Sequence, residues 1–337
     1  MTVLRLRAWR TLAPLLATAV LLTACAGGGT SADTAQPSAA GNAAFPVTVI
    51  HALGATVVPA APQRVVSLGY SDQDAILALG VIPVAIREFT GNRPSATWPW
   101  AADRLQGRQP EILAGDIDPE KIAALRPDLI VAVSAGLDQE QYDVFSRIAP
   151  TITQPVGFSA YQTPWQDATR LIGSALGRTG EAERLVTDLD ARFVAVRAQY
   201  PQFAGKQAAL AAASSTGTAA YFVWNSKDNR GRFLSSLGFT VPAQFDQLAG
   251  ERFYAEISTE QLGLLDQNDL VGWITIPGTA NSGLDQQPGY PALRVGREGR
   301  VVGLTEEQGV ALSFSSVLSL PTLLDQLPAE FSAHLGA

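Results

Sequence analysis

Residues 177–201 read GRTGEAERLVTDLDARFVAVRAQYP, and this stretch decides the architecture. Its apolar side chains fall at Ala182, Leu185, Val186, Leu189, Phe193 and Val196, the i, i+3, i+4, i+7 spacing of one helical stripe. The spacing predicts one unbroken helix over 181–200, opened near Gly180 and stopped by Pro201. Glu181 and Glu183 at its start and Arg197 near its end suit the helix dipole. Arg184 with Asp188, and Asp188 with Arg192, are spaced as i, i+4 pairs. At 1.5 Å per residue such a helix spans about 30 Å, the width of a small domain. It is either one more surface helix of an α/β protein or a rigid strut between two lobes, and its flanks choose between these.

On both flanks strand and helix patterns alternate. Before the helix, 47–50 and 55–58 bracket Gly54 as a hairpin. Strands are expected at 64–68, 81–86, 128–133 and 151–156, and helices at 71–79, 118–125, 137–148 and 164–176. The long segment 87–113, aromatic and proline-containing, reads as a loop. After the helix, strands are expected at 207–213, 219–224, 269–276 and 300–304, and helices at 229–237 and 258–265. Residues 312–335 read as mostly helical, interrupted at Pro321 and Pro328. The halves also match in order. Val66-Ser67-Leu68-Gly69 and a helix ending Leu79-Gly80 correspond to Phe222-Val223-Trp224-Asn225 and a helix ending Leu237-Gly238. Pro119-Glu120-Lys121-Ile122 before Asp128 corresponds to Thr259-Glu260-Gln261-Leu262 before Asp269. The expected fold is therefore α/β, two Rossmann-like lobes with mainly parallel sheets joined by one long α-helix. The lobes are placed at 46–178 and 202–337, with 179–201 between them.

Composition narrows the function. The chain has 337 residues, 47% hydrophobic, enough for two cores. It holds 24 basic and 31 acidic residues, and without Arg5, Arg7 and Arg10 the remainder carries 21 against 31. That acidic balance speaks against nucleic acid as a partner and against a basic membrane patch. Residues 1–24 read as a signal peptide: three arginines, then an apolar run over 12–22 too short to span a bilayer. Leu22-Thr23-Ala24-Cys25 ends it, and Cys25 is the chain's single cysteine, so no internal disulfide is possible. Residues 25–45 are small and polar, a flexible tether with little to bury. His51 and His334 are too few and too far apart in sequence for a zinc site, and no glycine-rich phosphate loop follows a strand. Asp72 with Asp74, and Asp116 with Asp118, sit at helix starts, where acids are common, and are not read as catalytic pairs.

Three segments carry a resemblance to a known family: Pro62-Gln63-Arg64-Val65-Val66, Ala78-Leu79-Gly80-Val81-Ile82-Pro83-Val84, and PEKIAALRPDLI at 119–130. With Leu318-Ser319-Leu320-Pro321 they resemble the solute-binding lipoproteins of ABC importers for ferric siderophores and cobalamin. Thr97-Trp98-Pro99-Trp100 looks like the iron-siderophore branch of that family. The resemblance implies two α/β lobes on a single helix, little movement on binding, and a monomer that serves an ABC permease with its ATPase. It implies lipidation at Cys25, anchoring to the cell membrane, and no enzymatic activity or cofactor, the iron being held by the siderophore. It also implies that Glu120 and Glu260, one per lobe, dock on the permease. The helix-dipole role of an acid at such a position is the plainer alternative.

Ligands of open α/β sheets sit beyond the carboxyl ends of strands. A ferric siderophore presents greasy linkers and chelate rings, which call for aromatic walls and one or two arginines. On the first lobe the candidates are Tyr70, Arg87, Trp98, Trp100, Phe158, Tyr161 and Trp165; on the second, Trp224, Asn225, Arg230, Arg232, Phe253 and Tyr254. Trp98 and Trp100 stand out, since a proline-containing loop offers a tryptophan little core to enter. Cobalamin, or haem with Tyr70 or Tyr161 as axial ligand, remains an alternative within the fold, and an envelope sensor that does not transport is a third reading.

Overall fold

The computed structural model describes residues 44–159, 161–214, 220–275 and 283–336. The N-terminal segment with Cys25 lies outside them. An antiparallel hairpin, β1 (Val47–His51) and β2 (Gly54–Val58), comes first. Five parallel strands follow: β3 (Val65–Ser67), β4 (Ala85–Arg87), β5 (Glu111–Leu113), β6 (Leu129–Ala132) and β7 (Thr151–Thr153), in the order β5-β4-β3-β6-β7. Each is followed by a helix, in turn α1 (Asp72–Ala78), α2 (Pro99–Ala102), α3 (Pro119–Ala124), α4 (Gln139–Ser146) and α5 (Trp165–Ala175). All four residues of β6 are buried, as a strand covered on both faces requires.

The long helix is α6 (Thr179–Gln199). Beyond it come β8 (Ala208–Ala213), β9 (Tyr221–Trp224), α7 (Asn229–Leu237), α8 (Ala243–Ala249), β10 (Tyr254–Ile257), β11 (Leu270–Ile274), α9 (Arg294–Arg297), β12 (Val301–Leu304), α10 (Glu306–Phe314) and α11 (Ser319–Leu335). The second sheet has the order β10-β9-β8-β11-β12. Here β8, β11 and β12 are parallel, while β9 is antiparallel to both its neighbours.

The stripe of α6 does divide its burial between two cores. Ala182 packs with Ile172, Ala175 and Leu176 under the first sheet. Val186, Leu189 and Phe193 belong to the core under the second, with Phe203, Phe233 and Leu327. Leu185 touches both. The approach of α5 to α6 is so close that a Cβ on Gly173 would fall 2.4 Å from the Ala182 Cβ. The expected i, i+4 pairs along α6 are not among the ion pairs of the described residues. Glu183 instead meets Arg170 of α5 at 2.8 Å, and Arg192 meets Asp325 of α11 at 2.6 Å. The charges therefore tie the helix to its neighbours, each exposed pair adding about 0–1 kcal/mol.

Four expectations need correction. Residues 87–113 contain helical turns at 94–96, 99–102 and 103–105 and the edge strand β5, so the segment is built rather than loose. The helix expected at 258–265 is a turn followed by a 3-10 helix, Leu262–Gln267. In α3, Asp118 caps by accepting from the Glu120 and Lys121 amides. Ser258, in the matching place, spends its hydroxyl on the Glu260 carboxylate at 2.6 Å, and Gly263 weakens the helix further. The C-terminal interruption falls at 315–318, not at the prolines. Ser316 and Ser319 exchange side-chain-to-amide bonds of 2.9 Å each way, which starts a new helix there. Pro321 then occupies the first turn of α11, where its missing N–H has no helical acceptor to lose, and α11 runs on through Pro328. Finally, β3 is the central, parallel strand of its sheet, whereas β9 is off-centre and antiparallel, so those two matched segments occupy different places. Glu120 and Glu260 keep their correspondence: each precedes the strand next to the central one, β6 and β11.

Candidate functional site

Between the two sheets lies a cavity of about 310 Å³. In the first half the carboxyl ends of strands supply its walls: Tyr70 to Asp72 after β3, Phe89 after β4, Val133 and Ser134 after β6. Tyr161, Thr163 and Trp165, leading into α5, close one side. In the second half the walls come from Asp228 to Arg230 after β9 and from Phe253 before β10. Those two ends face the same way because Trp224 of β9 pairs antiparallel with Tyr254 of β10. The joint between α10 and α11, residues 313–317, completes the enclosure.

Local chemistry fixes these positions. Asp72 opens α1 and reaches across to β6, accepting from the Val133 amide (2.7 Å), the Ser134 amide (3.0 Å) and the Ser134 hydroxyl (2.7 Å). Burial pushes its carboxyl up to about 6, against the pull of those donors. A Cβ on Gly69 would lie 2.0 Å from this carboxylate, so the turn carrying Tyr70 needs a glycine. Tyr161 adopts a left-handed backbone (φ 65°) and donates to the Ala135 carbonyl at 3.1 Å. Gly136 (φ 69°) leaves room for that hydroxyl. Burial raises the Tyr161 pKa; Tyr70 adds to this and Arg87 opposes it.

Aromatic rings line the space and meet across the halves. Tyr70 stacks at 6.0 Å on Tyr161, which meets Phe253 edge-on at 6.3 Å. Phe89 packs at 4.9 Å from Tyr70 and meets Phe314 at 5.6 Å. Two cations stand near. Arg230 holds Asp228 through Nε and Nη2 at 2.6 and 2.9 Å and lies 4.4 Å over the Trp224 ring. Arg87 lies 4.1 Å over the Tyr70 ring and donates to its hydroxyl at 2.8 Å. Its Nε and Nη1 are buried and find no hydrogen-bond partner among the described residues. Arg87 opens on a neighbouring cavity of about 360 Å³, which also contains Asp116 and shares Tyr161 with the first.

The structure thus brings together Tyr70, Tyr161, Trp165, Phe253 and, of the wider set, Arg230. It places the others elsewhere. Trp98 is only 1% exposed and stacks on Trp100 at 5.4 Å, packed with Val310 and Phe314 of α10. The loop tryptophan does find a core, contributed by a helix more than 200 residues later in the chain. Trp100 donates to Asp74 at 2.8 Å. Trp224 is 5% exposed, beneath Arg230. Asn225 is buried, its side chain donating to the Arg252 carbonyl and accepting from the Lys227 and Asp228 amides. Tyr254 packs against Phe222 and Phe253, and neither it nor Phe158 is in the cavity wall. Arg232 donates to the Gln162 carbonyl at 2.6 Å and the Asn229 side chain at 3.0 Å, and burial lowers its pKa. It ties α7 to the segment before α5, as Asn229 does through the Thr163 carbonyl at 2.9 Å.

A second tie closes the other side. Asp74 of α1 accepts from Trp100 and from the Ser316 hydroxyl (2.5 Å), and Ser316 in turn accepts from the Leu318 and Ser319 amides. Burial pushes the Asp74 carboxyl up to about 6, those two donors opposing. Leu77, Ala101, Leu105 and Leu318 pack around this seam. The two halves are therefore joined by α6, by the α7 bonds and by the Asp74 seam. Phe89, Phe314 and the 313–317 joint are wall residues that the sequence reading missed. Phe89 follows strand β4 by two residues, which was the available signal; the joint became legible only once its helix break was located.

Glu120 and Glu260 are both exposed. The hydroxyl of Ser258 holds the Glu260 carboxyl below its ordinary range. No helix among the described residues is long and apolar enough to cross a membrane.

Two α/β halves that enclose a ligand-sized, aromatic cavity define a small-molecule binding protein of the two-lobed class. The chain belongs to the periplasmic binding protein family, which matches residues 65–308. It is 31% identical over 150 residues to the probable siderophore-binding lipoprotein YfiY of Bacillus subtilis (strain 168), a match covering 43% of this chain and 43% of that protein. The chain thus spans less than half the length of that curated relative. Among solved structures, a periplasmic solute binding protein from Mycobacterium smegmatis is 37% identical with a TM-score of 0.74, covering 86% of this chain and 99% of that one. PiaA of Streptococcus pneumoniae TIGR4, solved with ferrichrome, has a TM-score of 0.72 over 86% of this chain and 99% of its own; at 23% identity it speaks for the fold alone.

Proposed function

We propose that the protein is an extracytoplasmic receptor that captures a ferric siderophore between its two halves and delivers it to an ABC permease with its ATPase for iron uptake. It acts by binding, not by catalysis. The observation that carries this reading is the aromatic cavity, walled by Tyr70, Tyr161, Phe89, Phe253 and Phe314 from both halves, in a chain of the periplasmic binding protein family. The name of a relative adds support: it is called a probable siderophore-binding lipoprotein. Stacked rings suit a guest of chelate rings and greasy linkers.

Cys25 is the anchoring residue in this reading. Two acyl chains there suffice for stable attachment, and Cys25→Ala should release the protein from the membrane fraction. Glu120 and Glu260, exposed at corresponding places before β6 and β11, are the docking pair. Reversing both charges should abolish siderophore-dependent iron uptake while the purified variant binds as well as wild type; normal uptake would remove the docking assignment. The deciding experiment is titration of the purified protein with ferric siderophores of several chelate classes, followed by tryptophan fluorescence. Saturable quenching by at least one is expected. Failure of the whole panel would overturn the reading.

A further inference from the structure

We propose that the cavity selects ferric chelates of low net charge, of the tris-hydroxamate type, and discriminates against polyanionic chelates such as tris-catecholates. This rests on the siderophore-receptor reading and deepens it. Its ground is a census of charge around the cavity. The charged side chains in the wall are Arg230, Asp228 and Asp72. Arg230 is already claimed by both oxygens of Asp228. The pair sums to zero, and its guanidinium donates inward to protein rather than to a guest. Asp72 adds either no charge or a negative one, and its oxygens are held by Val133 and Ser134.

Arg87, a cation with no ion-pair partner among the described residues, is not in this wall: it packs over the Tyr70 ring and lines the neighbouring cavity that also contains Asp116. Residue 160 and segments 215–219 and 276–282 contain no charged side chain, so nothing there alters the sum. The whole chain carries −7.

A tris-catecholate ferric complex is a trianion. Moving it from water into a partly enclosed site is costly unless opposite charge or a dense set of free donors replaces its hydration. Among the described residues this wall offers no unpaired cation, and its buried side-chain donor without a partner is the single Thr163 hydroxyl. The faces of its aromatic rings are the negative poles of their quadrupoles, which favour neutral or cationic guests over anions. A tris-hydroxamate complex, neutral or nearly so, loses little on entering and gains the full aromatic contact. The Arg230–Asp228 pair is the specificity determinant in this scheme, since it keeps a well-placed cation from the guest.

Calorimetric titration of the purified protein with a ferric tris-hydroxamate and a ferric tris-catecholate of similar size tests the proposal. The hydroxamate complex should bind at least about tenfold more tightly. Equal or tighter binding of the catecholate would overturn the selectivity while leaving the receptor reading standing. Binding of neither, nor of any other ferric chelate, would overturn both. In Asp228→Asn the amide still caps α7 but no longer neutralises Arg230, so the ratio of catecholate to hydroxamate affinity should rise about tenfold. A folded Asp228→Asn protein with an unchanged ratio would remove the pair as the determinant.

Discussion

Replacing Asp74 with asparagine should convert the seam between the two halves from pH-dependent to pH-independent. Asp74 is buried and accepts from Trp100 and Ser316. Its pKa rises from an ordinary 3.8 to about 6 because burial disfavours the ionised form more than two donors favour it. A carboxyl with a raised folded pKa binds its proton more tightly in the folded state. Its favourable contribution is full below pH 3.8 and is lost as pH rises through about 6. Roughly two pH units at about 1.4 kcal/mol each make the ionised side chain cost about 3 kcal/mol at neutral pH. At pH 4.5 the same linkage leaves a cost of about 1 kcal/mol. Asparagine keeps an acceptor and carries no charge to desolvate. Urea unfolding of both proteins at pH 4.5 and 7.5 should therefore show wild type losing about 2 kcal/mol relative to Asp74→Asn between the two. Asp72 titrates in a similar range but is common to both proteins and cancels. A stability difference that is the same at both pH values would refute the claim that this carboxyl is desolvated in the seam.

Two further outcomes follow from the geometry. Gly136→Ala places a Cβ 2.4 Å from the Tyr161 hydroxyl at a backbone φ of 69°; it should cost about 1–2 kcal/mol in denaturant unfolding and weaken ligand binding together, and a neutral effect on both would show that Tyr161 is not held there. Because α6 and two sets of cross-bonds join the halves, small-angle scattering with and without ligand should differ by no more than a few per cent of the radius of gyration, about 19 Å for a domain of this size; a large compaction would mean a clamshell that these ties do not permit.

The strut and the two lobes were legible because they rest on period: a 3.6-residue stripe in α6 and the alternation of strand and helix around it. Strand β10 was missed although it alternates, with Ala255 and Ile257 buried and Tyr254 and Glu256 less so. Four residues at a sheet edge give too short a pattern to register. In the site, Tyr70, Tyr161 and Phe253 stand in the cavity wall beside strand ends, as their positions suggest, while Trp98 and Arg232 are held by partners remote in sequence. Trp98 is buried by Val310 and Phe314, and Arg232 is satisfied by the Gln162 carbonyl. Asp74 looked like an ordinary helix-start acid because Ser316, its partner across the seam, lies 242 residues away. Local rules reach side chains whose neighbours are local, and cross-half contacts belong to the tertiary fold.

The central claim is that ligand is held by aromatic rings from both halves. Its most direct test is binding of a ferric siderophore to wild type and to a Tyr161→Ala/Phe253→Ala double variant that retains the wild-type circular dichroism spectrum. Two aromatic contacts at about 0.5–1.5 kcal/mol each, before any area term, correspond to a loss of at least about fivefold in affinity and more than a hundredfold at the upper end. The expected result is one-to-one binding in wild type, weakened by that range in the double variant. Wild-type affinity in the folded double variant would contradict the account.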